Sequence, residues 1–159
     1  MKTKNAFTLI ELIVAVGIIS VFSGMSLAGY LNYTEELKLK SEVGRLISTI
    51  ELAKKKASSG ELFDTGCANF EGYRVEISAN SFNLLFLCDG LQQQVQGNLF
   101  NSPVSITSVT GNLDFKPLGI GTDITIGTIT IRNSRIGKCM NITVNSVGIM
   151  STTDTLISC

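Results

Sequence analysis

An α+β fold is predicted by three observations. The first 59 residues carry helical signals only, the rest shows apolar residues in alternation, and Ser58-Ser59-Gly60 marks the change. A chain of 159 residues suits one globular domain plus an appendage. The expected architecture is a long N-terminal α-helix, first membrane-spanning and then amphipathic, packed on a C-terminal antiparallel β-sheet domain.

From Phe7 to Leu31 the sequence is apolar apart from one ionisable residue, Glu11. A helix of about 25 residues is long enough for a hydrocarbon core of roughly 30 Å, so this stretch is a candidate span. An acid within such a span is costly and reads as functional, with a partner to be sought. Gly17, Ser20, Gly24 and Ala28 form a small-residue stripe that allows close helix packing. Lys2 and Lys4 precede the span and suit the cytoplasmic side, and Tyr30 and Tyr33 suit the membrane interface. A secretory signal with a cleavage site after Ala28 is a rival reading, opposed by Glu11 and by the direct continuation into an amphipathic pattern; an ordinary signal-anchored exported protein is another, which leaves the acid within the span unexplained.

That pattern covers residues 32–59. Leu39, Val43, Leu46, Ile50, Ala53 and Ala57 form one helical stripe, with Glu35, Lys38, Glu42, Arg45 and Lys54 off it. Lys54-Lys55-Lys56 complements the negative end of the helix dipole and Gly60 supplies the stop.

In residues 60–159 the period becomes two. Tyr73, Val75 and Ile77 alternate with Arg74 and Glu76, Ser78 to Ser81 turns, and Phe82, Leu84, Phe86 and Cys88 share a face. Pairing Ile77 with Phe82 sets Cys88 opposite Glu71 and within reach of Cys67. Leu91 to Gln96 reads as a polar edge strand, and Val104–Val109 with Leu113–Lys116 as a hairpin around Gly111-Asn112. In Thr122–Ile131 the isoleucines change phase, which predicts a bulge or bend at Gly127. Met140, Ile142 and Val144 define a later strand that turns at Asn145-Ser146 towards Val147–Met150.

Cys67, Cys88, Cys139 and Cys159 all follow the helix, and an even count there suits disulfides in an oxidising compartment. Three connectivities are open. Cys67–Cys88 with Cys139–Cys159 is the expected one, closing loops of about 20 residues; four buried thiols are the alternative, and no pair has zinc-finger spacing.

The segment Ala6-Phe7-Thr8-Leu9-Ile10-Glu11, followed by an apolar helix, resembles the leader of type IV pilins and type II secretion pseudopilins. The resemblance implies that residues 1–6 are a leader cut by a prepilin peptidase between Ala6 and Phe7, that Phe7 is N-methylated, and that Glu11 pairs with the amine of a neighbouring subunit during assembly. Ala6 departs from the usual Gly before the cut. The span also lacks the mid-helix Pro of many major pilins, which points to a pseudopilin or minor subunit. Phe115-Lys116-Pro117-Leu118-Gly119, the isoleucine-rich strand and Val147-Gly148-Ile149 resemble the C-terminal domain of the GspH/FimT group. Implied partners are other pilin-like subunits, the peptidase, an inner-membrane assembly platform and the bilayer, with the C-terminal domain outside the cytoplasm.

Charge and composition narrow the alternatives. Lys+Arg and Asp+Glu both number 13, and removing Lys2 and Lys4 leaves 11 basic against 13 acidic residues, a net charge of −2. No broad basic field exists for nucleic acid. Arg132, Arg135 and Lys138 form a small basic cluster, the basis of a second reading as a DNA-binding minor pilin. With no His, no phosphate-binding Gly loop and no nucleophile motif, catalysis, cofactors and metals are not expected.

Overall fold

The computed structural model describes residues 8–107, 111–119, 122–124, 127–145, 148–153 and 155–159, without the side chains of residues 24–28, 119 and 124. The chain divides into two compact units, Met1–Glu35 and Glu36–Cys159.

Helix α1, Leu9–Ser59, contributes to both units. In the second unit its six-residue stripe, Leu39 through Ala57, is at most 3% exposed, as the spacing requires. The helix stops where Gly60 takes φ 65°, a left-handed value that glycine adopts without strain. Glu42 departs from the pattern because it lies among the buried residues. Its carboxylate accepts hydrogen bonds from Arg45 Nη1 at 2.7 Å and Asn101 Nδ2 at 2.6 Å, so a buried charge is paired and also holds the 100–103 loop to the helix.

Among the described residues, ten strands form two antiparallel sheets. The first has the order β3 (Leu91–Leu99), β2 (Ser81–Cys88), β1 (Phe70–Ile77), β5 (Gly111–Phe115) and β6 (Thr122–Ile124). The second has β4 (Val104–Ile106), β7 (Thr128–Asn133) and β8 (Lys138–Val144), with β9 (Met150–Thr152) and β10 (Ile157–Ser158) both paired to β8. Both sheets and α1 contribute to one apolar core in the second unit.

The β1–β2 hairpin has the expected Ile77↔Phe82 register. Its far end differs: Cys88 pairs with Phe70, because Glu71 is bulged out between Phe70 and Gly72. Gly72 has φ 124° and a Cβ there would lie 2.1 Å from the Phe115 carbonyl oxygen, so the bulge depends on glycine.

Val104–Val109 and Leu113–Lys116 do not form a hairpin: β4 pairs with β7, β5 pairs with β1, and Val104 and Ile106 bury their side chains with the second sheet. Thr122–Ile131 is two strands in different sheets, so the phase change marks a crossing from one sheet to the other. Ile126 itself lies outside the described residues, as do Val109, Ser146 and Val147.

The disulfides are Cys67–Cys88 and Cys139–Cys159, as expected. The second ties Ile157 and Ser158 against the start of β8.

Candidate functional site

In the N-terminal unit the large apolar side chains from Leu9 to Phe22 point outward, from 53% exposure at Ile18 to 76% at Leu9. Apolar area this extensive marks a surface meant for lipid or protein. Glu11 sits at the start of it. The Thr8 backbone N–H and Oγ1 hydroxyl each donate to Glu11 Oε2 at 3.1 Å, and the Glu11 N–H donates back to Thr8 Oγ1 at 3.3 Å. This is a capping box: the acid satisfies a donor that the first turn leaves unpaired and lies at the positive end of the dipole. The spacing Thr8-x-x-Glu11 is a capping-box signature in the sequence, so the acid has a partner within its own helix as well as the intermolecular one expected of it.

Gly17 and Ser20 are exposed on the same helix, with open space beside Gly17 and the Ser20 hydroxyl donating to the Val16 carbonyl. The side chains of Gly24 and Ala28, and all of Ala6 and Phe7, lie outside the described residues. Among the described residues, no helix is long and apolar enough to cross a membrane.

The other predicted residues fall into separate places in the second unit. Arg132 and Lys138 do not form one patch. Lys138 pairs in register with buried Asn133 on the core face and makes an ion pair with Glu36 at the helix. Arg132, in register with Cys139, is on the opposite face and exposed. Arg135 follows in the turn, its N–H donating to Asn133 Oδ1 at 2.9 Å. A single basic surface made by these three residues is therefore not what the strand alternation produces.

Cys67, Cys88 and Asp89 bring potential ligand atoms within 4.8 Å of one another, but the two sulfurs are bonded together. Asp89 instead serves as a latch. Its carboxylate accepts from Asn69 Nδ2 at 2.7 Å and from the N–H groups of Ala68 and Asn69 at 3.2 and 3.1 Å. The Asn69 side-chain hydrogen bond, with the backbone donors after it, holds the Asp89 carboxyl below the usual carboxylate range. A depressed acid stabilises above its unfolded pKa and loses that contribution as pH falls through the folded-state value. Amide exchange at Ala68 and Asn69, corrected for intrinsic rate, should therefore quicken below about pH 4. Asp89→Asn should remove that step; an identical pH profile in the variant would refute the latch.

Residues 1–27 match the family model of the prokaryotic N-terminal methylation motif. The chain thus carries the prepilin leader motif of type IV pilins and pseudopilins, with Ala6, Phe7 and Glu11 inside the matched segment. No curated protein and no solved structure matches the chain.

Proposed function

We propose that this chain is a structural subunit of a type IV pilus or a type II secretion pseudopilus. In this reading residues 1–6 are removed by a prepilin peptidase, Phe7 is N-methylated, and residues 7–31 anchor the subunit in the inner membrane before entering a bundle of like helices. Residues 32–59 continue the helix into a β-rich domain, residues 60–159, that lies outside the cytoplasm. The observation that carries the proposal is the methylation motif at residues 1–27, set on a helix whose apolar side chains are exposed and whose acid lies in the first turn.

Other features support it. Two disulfides suit an exported domain. The small residues Gly17 and Ser20 suit close helix packing, with Gly24 and Ala28 in phase by sequence. The GspH/FimT group of minor subunits is the finer assignment, resting on the motifs of residues 112–151. No enzymatic step by this chain is part of the proposal, nor is any cofactor or metal. DNA binding is the second reading, and the separation of Arg132 from Lys138 speaks against it.

The test is the intact mass of the protein recovered from membranes and from sheared filaments. Loss of residues 1–6 with gain of one methyl group, in both fractions, is the expected result. Loss of residues 1–28, or absence from membranes and filaments alike, would overturn the proposal.

A further inference from the structure

Among the described residues, strand β3 is an outer strand of the first sheet and is nine residues long, whereas the other outer strands, β4, β6, β9 and β10, have two or three residues each. Sheet edges are usually kept from pairing by short length, charge, proline or a bulge. The sequence LQQQVQGNL has no charge and no proline, and its one protection is the bulge at Val95, the residue left out between the Leu84↔Gln96 and Leu85↔Gln94 pairs.

The register also fixes which side chains face inward. Leu91, Gln93, Gln96 and Asn98 pair with Cys88, Phe86, Leu84 and Phe82, and so share the core face. On that face a cavity opens at each end of the strand. One, of about 190 Å³, is bounded by Asp64, Cys67, Phe86, Asp89, Leu91 and Gln93. The other, of about 220 Å³, lies between β3 and the helix, against Arg45, Ser48, Thr49, Leu52, Gln96 and Asn98. An edge with no strand paired to it among the described residues, flanked by side-chain-sized cavities, is how a sheet accepts an added strand, with backbone hydrogen bonds supplying affinity and the cavities selectivity.

We infer that β3 docks an extended segment of another protein, which adds to the first sheet as a sixth strand. The first cavity sets the partner's chemistry. Its lining combines apolar surface from Phe86, Leu91 and the disulfide with two exposed acids, Asp64 and Asp89, which also accept local hydrogen bonds from Gly66 and from Ala68 and Asn69. An aromatic ring fits the apolar surface, and a lysine fits better, its stem on that surface and its ammonium between the acids. A second copy of β3 is a poorer occupant, since it carries only leucine, valine, glycine and amides and offers neither ring nor cation. This inference goes beyond the assembly role and does not depend on it.

The experiment titrates four labelled eight-residue peptides of alternating threonine and valine, differing only in a central Lys, Phe, Ser or Glu, into the full chain in detergent micelles. Anisotropy and β3 amide exchange are the readouts. The Lys and Phe peptides should bind, protect β3, and exceed the Glu peptide by at least about tenfold in affinity. Gln93→Lys, which places a cation at the cavity mouth, should weaken the Lys peptide more than the Phe peptide. Gln94→Lys on the opposite face should leave both within about twofold. Circular dichroism and intact disulfides confirm that the variants fold. Equal binding of all four peptides, binding of none, or a dimer of the chain abolished by Gln93→Lys would each overturn the inference.

Discussion

Phe86→Ala is expected to destabilise the β domain by about 3–5 kcal/mol, the range for deleting a buried aromatic ring. Phe86 is 1% exposed and stacks on Phe70 at a centroid distance of 5.5 Å, with Tyr73 edge-on at 5.4 Å and Phe63 tilted at 6.2 Å. Three rings thus lose one partner at once, in addition to the lost apolar burial. Against a total of about 5–15 kcal/mol for a domain, this is a large fraction. The midpoint of urea unfolding with both disulfides intact measures it. A loss near 1 kcal/mol would mean that the neighbouring cavity lets the site collapse or fill with water, and that the aromatic cluster is not a main support.

Glu11→Ala is expected to leave the subunit in the membrane fraction while lowering its recovery in filaments by at least about tenfold. The variant removes two things together: the carboxylate available to a neighbour's amine, and the acceptor that closes the capping box with Thr8. Glu11→Gln separates them. Glutamine at this position of a capping box still accepts from the N-cap residue, but carries no charge. Filament recovery should therefore stay low in Glu11→Gln if the charge pairs between subunits. Recovery at the original level would show that the acid acts only within its own helix, and the proposed intermolecular pairing would be sunk.

The parts of the fold that were legible in the sequence share one property: a single period sustained over a whole element. Leu39 to Ala57 keep a helical period for five turns, and Tyr73, Val75, Ile77, Phe82, Leu84 and Phe86 alternate on both sides of a tight turn, so their burial and the Ile77↔Phe82 register followed, whereas Leu85 and Leu87 on the opposite face of β2 are buried as well. What was not legible depended on distant partners. Glu71 is bulged because Gly72 lies against the Phe115 carbonyl, a contact made across 43 positions of chain. Gly111-Asn112 looks like a local turn, whereas β4 pairs with the later β7 and β5 with the earlier β1. At the N-terminus the significance of Glu11 was legible from its apolar surroundings. Its bond to Thr8 is a local helix-start signal, which an acid within an apolar stretch does not by itself reveal.

The pairing of β4 with β7 bears on how the polypeptide reaches its final form. Strands β1 to β3 can zip together from neighbouring hairpins, but β4 has no ladder partner until Thr128–Asn133 is available, and the β5–β1 ladder closes around the β2–β4 stretch. Closing such loops before their contacts form is the entropic step that slows β-rich domains. A chain emerging from its amino end would therefore leave β4 without its ladder partner until Thr128–Asn133 had been delivered. For that interval its unpaired edge is open to association with any other strand within reach.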